Sequence, residues 1–561
     1  MKKVVYALLI PCLVFFIYLA LPNQLLPDNL VIAWVKSFGP PSYSSPPSSE
    51  PAVLGEVEDP CPEDILGWRP RQKVEGVWVR ESKVCKPDNP YEVAAFVKGT
   101  NRVSHGTLMQ SGLAPDAVVK GKDLDGDGDP DEIHIRLEVM ELNGRSPDDN
   151  KPVTTFDIAP GIQPGFWVFA PKTFGMSTEN FETLEAKTVL RVPSPVIRVE
   201  QGDVVKITLE NTHYLPHTIH LHGVDHPFVD ENGEGNDGVP QTAELPIMPG
   251  ESRTYDITPR STGTMMYHCH VQPHTHVTMG LLGMFVVEEN RPNNWVQSMN
   301  VGAGHVRYPS VAIKEKYNRE YDLHYQSVDK ELHSIVQNSN DPRVIAKEMN
   351  RSYDLTDADS DYFLLNGKTF PYTIQESLVI TKPDEKVKLR VANAGEDDIS
   401  LHTHGHKLRI THYDGNEHAR EAQITKDVFH MGSAERLDLE LTTTDDGFNS
   451  YGEGIWVMHD HNERGITNDG MHPGGGISAI VYESFLNENG MPKLQGVNPA
   501  KFFTKEFHRK ETPVWMDFDA RGFYTDISSS SGGLWRFLLI GLLLGGIVAL
   551  FSLILVSKKS K

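Results

Sequence analysis

A cysteine between two histidines is the feature that most limits how this chain can fold. Cys269 lies between His268 and His270, with His274 five residues after the cysteine and Met279 ten residues after it. In an extended strand, side chains alternate between the two faces, so the two flanking histidines point to one face and the cysteine to the other. One strand can therefore serve two groups of ligands, and the chain must fold around both.

A second histidine-rich segment lies about fifty residues upstream of this cysteine. A blue-copper site requires two imidazoles, one cysteine and a weak axial thioether. His217 can complete that set together with the cysteine, His274 and Met279. His220 and His222 alternate onto one face of a strand, so they remain available for another metal.

The same spacing of histidines recurs near the other end of the chain. Eight histidines form four pairs with one residue between the members: His220 and His222, His268 and His270, His402 and His404, His459 and His461. A lone histidine is more often a hydrogen-bonded core or surface residue. That interpretation does not easily explain four such pairs in the same order within two similar segments. Because imidazole is a common ligand of first-row metals, we predict that all eight bind metal.

With these motifs, residues from about 150 to 485 resemble the multicopper oxidases, and most closely the two-domain, laccase-like members with a type 1 copper in the first domain. The resemblance implies an all-β fold with two cupredoxin-like Greek-key β-sandwich domains. It also implies an oxidoreductase with four coppers per chain. A donor would be oxidised one electron at a time at the type 1 copper, and dioxygen would be reduced to water at a trinuclear cluster.

The resemblance also assigns the ligands. The type 1 copper would be bound by His217, Cys269, His274 and Met279. The type 2 copper would be bound by His220 and His402. The type 3 pair would be bound by the six remaining histidines, namely His222, His268, His270, His404, His459 and His461.

The second unit has lost its own blue site. Ile399 stands where His217 stands in the first unit, Asp460 replaces the cysteine, and Gly465 replaces the following histidine. This layout is similar to enzymes whose trinuclear cluster forms between the first unit of one chain and the second unit of a neighbour. The resemblance therefore implies a cyclic homotrimer.

Two other classes of protein remain as alternatives. Copper-containing nitrite reductases have a histidine before the cysteine but not after it, and they need only one catalytic copper and fewer histidines. A non-catalytic copper or electron-transfer protein would keep the blue site and leave the eight-histidine centre empty or inert. The complete set of eight histidines favours dioxygen over nitrite.

Some residues near these motifs have candidate roles of their own. Asp237, within residues 234–240, resembles the family aspartate that orients a ligand and delivers protons; a solvated turn is the alternative. Glu463 and Asp469 are weaker candidates of the same kind. We expect His276 to be a surface or hydrogen-bonded residue, because the five- and ten-residue spacings are already filled.

An acidic loop precedes the histidine motifs. Asp123, Asp125, Asp127 and Asp131 occupy loop positions one, three, five and nine, a spacing of oxygen ligands that predicts a calcium site. Position twelve is His134 and not glutamate, so an EF-hand is not expected. The alternative is an acidic turn that binds no metal tightly.

Charge and cysteine content restrict partners and compartment. The net charge of −23 argues against nucleic acid as a partner. Of the four cysteines, Cys12 lies in an apolar segment and Cys269 is the predicted metal ligand. Cys61 and Cys85 are left for a disulfide, which would suit an oxidising compartment, or else they are free thiols.

Both ends of the chain carry apolar runs. The uncharged run before residue 22 predicts a membrane anchor or signal, and the uncharged run 537–556 is long enough to span a bilayer. Lysines outside both runs predict cytoplasmic termini and copper domains on the periplasmic, extracytoplasmic side. The predicted layout is an anchor or signal at 1–22, a Pro/Ser-rich linker at 23–56, an extra β-rich segment at 57–149, cupredoxin domains at 150–290 and 315–485, a tail at 486–533 and a transmembrane helix at 537–556. A short helix is expected between Ser327 and Arg351.

Overall fold

The computed structural model describes residues 72–74, 77–79, 96–97, 99–101, 103, 105–145, 154–173, 190–292, 294, 296–306, 317–494, 498–511 and 546. The predicted Pro/Ser-rich linker, the Cys61 and Cys85 pair and the two apolar terminal runs lie outside these residues, apart from Gly546. Within the described ranges, no helix combines the length and the hydropathy that crossing a bilayer requires.

The first half of the described chain forms a β-sandwich. Alternation is clearest in Val204–Glu210, where Val205, Ile207 and Leu209 are buried and the residues between them are more exposed. The strands up to residue 305 are, in chain order, β1 Gln72–Val74, β2 Val77–Val79, β3 Phe96–Val97, β4 Val118–Lys120, β5 Glu132–Leu142, β6 Phe166–Pro171, β7 Val196–Glu200, β8 Val204–Glu210, β9 His220–His222, β10 Ser252–Ile257, β11 Gly263–His268, β12 Leu282–Glu288, β13 Met299–Asn300 and β14 Gly304–His305.

Two sheets pack face to face in this first sandwich. One sheet has the order β10-β8-β5-β4, with β6 also paired to β5, and the other has the order β3-β13-β7-β12-β11-β9. Strand β5 runs parallel to β8 along seven residue pairs. The first sandwich therefore includes strands that precede the boundary placed at residue 150. The pairing of β5 with β8 uses backbone hydrogen bonds, which require no particular side chains. The sequence therefore contains no motif that would have placed that boundary earlier.

The second half forms another sandwich of two sheets. One has the order β14-β15-β18-β24-β20-β21, with β16 on β15 and β22 on β20, and the other has the order β17-β26-β25-β19-β23. Its remaining strands are β15 Arg319–Val328, β16 Tyr362–Leu365, β17 Val379–Thr381, β18 Lys386–Asn393, β19 Ile399–Thr403, β20 Leu408–Tyr413, β21 Asn416–Glu417, β22 Thr425–Lys426, β23 Val428–Met431, β24 Arg436–Thr442, β25 Ile455–Asp460 and β26 Ser478–Tyr482.

Short helices connect the strands. They are α1 His105–Ser111, α2 Pro273–His276, α3 Lys330–Asn338, α4 Pro342–Lys347 and α5 Thr373–Glu376. Helix α3 begins after Asp329, whose side chain accepts a hydrogen bond from the Glu331 amide, as an N-cap residue should. Leu332 and Val336 of this helix pack into the core of the first sandwich. The short helix expected between Ser327 and Arg351 is confirmed.

The two sandwiches meet through a buried group of charges, which we call the interdomain ion cluster. Arg198 on β7 contacts Asp322 and Glu320 on β15. Arg390 on β18 bridges back to Glu288 at the end of β12. The cluster consists of Arg198, Glu288, Glu320, Asp322, Arg390 and Asp438.

Residues from 494 onward belong to a second compact unit of the chain. In its described part, Pro499–Phe503 forms a 3₁₀ helix and Lys505–His508 forms α6. The hydroxyl of Thr504 accepts a hydrogen bond from the Phe507 amide and caps that helix.

Candidate metal centres

Strand β11 brings its ligands together with those of β9. The two strands are antiparallel, and His268 lies directly opposite His220. Cys269 follows the last residue of β11, and its amide donates to the Leu281 carbonyl at 3.0 Å. This bond holds the cysteine in line with the strand, so its side chain points to the core while its neighbours point away from it.

One group of donors, here called the thiol cluster, surrounds the Cys269 sulfur. The Nδ1 atoms of His217 and His276 lie 3.6 and 3.5 Å from that sulfur. All three side chains are at most 1% exposed. Met279 is buried in the same core, close in sequence to His276. Two imidazoles and a thiol thus converge on one point from three separate positions in the chain.

The structure differs from the sequence prediction in the second imidazole of this cluster. Gln272 adopts the left-handed conformation and α2 begins directly after it. This turn leaves His274 exposed, whereas His276, two residues further on, is buried against Trp167 with ring centroids 5.2 Å apart. His276 therefore stands where His274 was expected. The signal in the sequence was the extra histidine itself, since positions i and i+2 of a helical turn cannot share a face.

Burial prepares the thiol cluster for a soft metal. Desolvation lowers the pKa of His276 to about 3 and that of His217 well below its usual value, so both imidazoles are neutral and keep a free lone pair. Burial also raises the pKa of the Cys269 thiol to about 12. The sulfur gives up its proton only when a cation takes its place. A buried pair of neutral imidazoles with one such thiol fits copper.

A second group, the first quartet, lies on the other face of the same strand. It consists of His220, His222, His268 and His270, with ring centroids between 4.9 and 5.7 Å apart. The Nδ1–H of His268 donates to the Cys269 carbonyl at 2.9 Å, so its Nε2 has no proton. That Nε2 lies 2.9 Å from Nε2 of His222. Two ring nitrogens turned toward each other at this distance suit a shared metal site.

The third group, the second quartet, repeats this arrangement in the second sandwich. It consists of His402, His404, His459 and His461 on β19 and β25 and just beyond them, with ring centroids between 4.8 and 5.7 Å apart. The Nδ1–H groups of His402 and His459 donate to the carbonyls of Asp427 and Asp460. Their Nε2 atoms are thereby left as metal ligands. His404 and His461 are exposed to solvent.

Within one chain the two quartets are carried by different sheets. The first quartet is on β9 and β11, and the charge of Arg436 at the start of β24 reaches His222. Strand β24 belongs to one sheet of the second sandwich, and the second quartet is on β19 and β25 of the other sheet. Among the residues that the structure describes, no ring contact joins a histidine of one quartet to a histidine of the other.

Asp237 contacts the first quartet, as the sequence suggested. Its backbone carbonyl accepts the Nδ1–H of His220 at 2.7 Å, which leaves Nε2 of that histidine free for metal. Its carboxylate lies 3.1 Å from Nε2 of His226 and 3.5 Å from Nδ1 of His220. The aspartate thus orients one ligand and places an acid group beside the quartet. Glu463 lies 3.9 Å from His461, and Asp469 pairs with Lys330 at 2.7 Å.

The position in the second sandwich that corresponds to the thiol cluster is filled by a carboxylate. Asp460 accepts hydrogen bonds from the amides of Ser400 and Asn462, at 2.7 and 3.0 Å. Gly465 lies so close to this carboxylate that an added Cβ would overlap it. With Ile399 also in place of a histidine, this position offers no imidazole and no thiol.

The acidic loop brings together three of its four predicted calcium ligands. Carboxylate oxygens of Asp123, Asp125 and Asp127 lie within 4.8 Å of one another. Burial, followed by the charge of Asp129, raises the pKa of Asp127 to about 7. Asp131 instead accepts hydrogen bonds from the amides of Leu124 and Asp125, so it fixes the loop backbone. The calcium site stays a prediction.

Short segments of the chain are similar to curated proteins. Oxidoreductase ptaE of Pestalotiopsis fici is 30% identical over 125 residues, which is 21% of this chain and 19% of that protein. Copper resistance protein A of Escherichia coli is 34% identical over 96 residues, 17% of this chain and 15% of its own length. The chain thus spans less than a quarter of these relatives. The crystal structure of blue copper oxidase from Nitrosomonas europaea superposes with a TM-score of 0.45 and 24% identity, covering 70% of this chain and 93% of that one.

Both histidine-bearing regions match family models. Residues 187–292 match one model described as multicopper oxidase, and residues 344–473 match a second with the same description. The first range contains the thiol cluster and the first quartet, and the second range contains the second quartet. These two regions are therefore multicopper oxidase domains by the models that they match, and copper is the cofactor that this family implies.

Proposed function

We propose that this protein is an oxidoreductase that couples one-electron oxidation of a donor to four-electron reduction of dioxygen to water. The observation that carries this proposal is the tripeptide 268–270, whose cysteine belongs to the thiol cluster and whose histidines belong to the first quartet. Copper at these sites would supply the capacity to accept electrons singly and to deliver them to dioxygen.

Different side chains would bind the different coppers and deliver the protons. His217, Cys269 and His276 would hold the type 1 copper, with the buried Met279 as the candidate thioether. The two quartets would hold the other three coppers. The two sites are covalently connected, because Cys269 is bonded through the backbone to His268 and His270. Asp237, which contacts His220, would deliver the protons that water formation from dioxygen consumes.

The two quartets would combine between neighbouring chains. Neither quartet has ring contacts with the other within the described part of one chain, and two histidines of the second quartet are exposed. Exposed apolar side chains flank both: Phe228 and Val229 lie near Asp237, and Val428 and Val457 lie beside the second quartet. A heterologous contact of this kind, repeated until it closes, gives a ring, and the resemblance to the two-domain enzymes favours a homotrimer.

The burial of the thiol cluster bears on the donor, and the apolar runs bear on the location. Because the thiol cluster is buried, a donor would transfer its electron across intervening side chains, which suits a phenol-like compound or a metal ion bound at the surface. The apolar runs before residue 22 and at 537–556 support membrane anchoring, with the copper domains on the extracytoplasmic side.

Copper content together with dioxygen uptake tests the reaction. We expect about four coppers per chain, a blue absorption band, and dioxygen uptake with a generic phenolic donor. Cys269→Ser should abolish the band and turnover while the other coppers remain bound. About two coppers per chain, with nitrite reduced in place of dioxygen, would replace this proposal with a copper nitrite reductase. A blue band with an empty or inert eight-histidine centre would indicate an electron-transfer protein.

Mixing two inactive variants tests whether the cluster forms between chains. His268→Ala disables the first quartet and His459→Ala disables the second. If each site combines quartets from two chains, random mixing after dissociation restores about a quarter of the sites. A working site needs an intact first quartet, which half of the chains carry, and an intact second quartet, which the other half carry. If each site formed within one chain, the mixture would stay inactive.

A further inference from the structure

A second buried histidine lies directly behind His217. Nδ1 of His213 is 2.9 Å from Nε2 of His217. The same Nδ1 accepts a hydrogen bond from the Leu215 amide at 3.4 Å, which identifies it as the unprotonated nitrogen of the ring. His217 therefore donates its Nε2–H to His213. Its Nδ1, 3.6 Å from the Cys269 sulfur, is left without a proton and is free to bind copper.

The other nitrogen of His213 faces a carboxylate. With Nδ1 as the acceptor, the proton of the neutral ring is on Nε2, and that atom lies 3.9 Å from Oε2 of Glu141. Nε2 of His213 has no closer hydrogen-bond partner in the described residues. The same oxygen of Glu141 accepts hydrogen bonds from the Tyr214 hydroxyl at 2.5 Å and from the Trp167 indole at 2.9 Å. These donors hold the carboxylate toward His213.

We propose that Glu141 and His213 are positioning residues that hold His217 in the tautomer that binds copper and lower the reduction potential of that copper. This inference rests on the proposed function in one respect, that the thiol cluster holds copper. A negative carboxylate close behind an imidazole that is itself hydrogen-bonded to a ligand increases the electron density on the ligand and favours the more highly charged metal ion. Removing the negative charge should therefore favour Cu(I) over Cu(II).

Glu141 lies outside the sequence segments that carry the histidine motifs. It lies on β5, ahead of both segments that match the family models. The pairing of β5 with β6 places it beside Trp167, and Trp167 in turn contacts the rings of His213, His217 and His276. The carboxylate reaches the copper ligands only through this non-local pairing.

The contacts that run from Glu141 through His213 to His217 are here called the relay. A redox titration of the blue band in the copper-loaded full chain tests whether the relay lowers the potential. Glu141→Gln keeps the shape and removes the charge, and the ratio of Cu(I) to Cu(II) affinity should rise about tenfold, a shift of about 59 mV for one electron. Glu138→Gln is the matched control. Glu138 is a buried carboxylate on the opposite face of β5, where it accepts hydrogen bonds from Thr173. An unchanged potential in Glu141→Gln, or equal shifts in both variants, would overturn the proposal.

Two substitutions of His213 separate positioning from simple packing. His213→Asn keeps an acceptor near the position of Nδ1 but loses the link to Glu141, so we expect the blue band to remain and the potential to rise as in Glu141→Gln. His213→Leu also removes the acceptor, and Cu(I) affinity measured by competition with a chelator should fall about tenfold or more. A potential in His213→Asn equal to that of the wild type would contradict the relay, whether or not the leucine variant folds.

These measurements do not involve dioxygen. A wild-type protein with a blue band but no dioxygen uptake would contradict the proposed function and leave the relay to be decided by the potentials. A wild-type protein that binds no copper at Cys269 would contradict both.

Discussion

Removing Arg198 from the interdomain ion cluster should destabilise the protein in a way that depends strongly on pH. The guanidinium donates to both oxygens of Asp322, at 2.7 and 2.8 Å, and contacts Glu320 at 3.1 Å. Glu320 keeps a second partner in Arg390. Among the described residues, Asp322, with no exposed surface, would keep only the side-chain amide of Asn300 as a partner, at 3.0 Å. Glu288, which Arg198 contacts at 2.5 Å, likewise keeps Arg390, so in Arg198→Met most of the penalty falls on Asp322.

The size of this penalty follows from the least costly response, which is protonation of Asp322. Keeping a carboxyl of ordinary pKa 3.8 neutral at about pH 7 costs about 4 kcal/mol, at about 1.36 kcal/mol per pH unit. This value lies within the range of about 3–5 kcal/mol for breaking a buried ion pair. Burial already raises the pKa of Asp322 in the wild type, and the charge of Arg198 opposes that shift; without Arg198 the folded-state pKa rises further above its unfolded value, so the penalty shrinks as the pH falls. At about pH 5 it should be below about 2 kcal/mol.

Urea unfolding of the copper-free protein at both pH values measures this difference. Arg198→Met should lose about 4 kcal/mol of unfolding free energy at about pH 7 and less than half of that at about pH 5. Adding Asp322→Asn removes the ionisable group, so the double variant should recover most of the loss and its remaining deficit should not change with pH. A deficit in Arg198→Met that is equal at both pH values, or a double variant as unstable as the single one, would refute the reasoning.

Three further predictions concern single residues. His276→Ala should abolish the blue band and His274→Ala should leave it intact, because only the former is buried against the thiol; equal spectra would contradict the assignment. His324→Leu should raise the unfolding free energy by about 1–3 kcal/mol in urea titrations, since both ring nitrogens of this buried histidine lack hydrogen-bond partners in the described residues. Burial lowers the pKa of His324 to about 4, so the unfolded state binds a proton at a higher pH than the folded state does. The wild type should therefore lose stability through this residue as pH falls from about 6.5 towards 4, and the leucine variant should lack that loss. Asp237→Asn should slow dioxygen uptake about 10- to 100-fold without loss of copper, because its backbone and not its side chain holds His220; a fall in copper content would point to a structural role instead.

The sequence indicates groupings that depend on local geometry. Alternation along a strand is sufficient to predict that His268 and His270 share a face, and the structure places His220 directly opposite His268. The choice between His274 and His276 could not be predicted by counting residues, because it depends on a left-handed Gln272 and one turn of helix. Spacing along the chain is informative only where the backbone conformation is regular.

Long-range pairing accounts for the other differences. Strand β5 joins the first sandwich through backbone hydrogen bonds to β8, and such bonds are made by residues of any type. The sequence therefore showed β5 only as part of an extra segment. For the same reason it gave no indication that Glu141 would stand behind the ligands of the thiol cluster.

Residues 268–270 belong to the thiol cluster and to the first quartet at once, and this fixes a length that matters for electron tunnelling. The span between the cysteine sulfur and the neighbouring imidazoles is set by covalent bonds and by one extended backbone conformation. Motion of one sandwich against the other leaves that span unchanged, and so does any substitution in the surrounding loops. The remainder of the chain is thereby free to vary in what it docks and where it assembles, while the electron crosses the same distance.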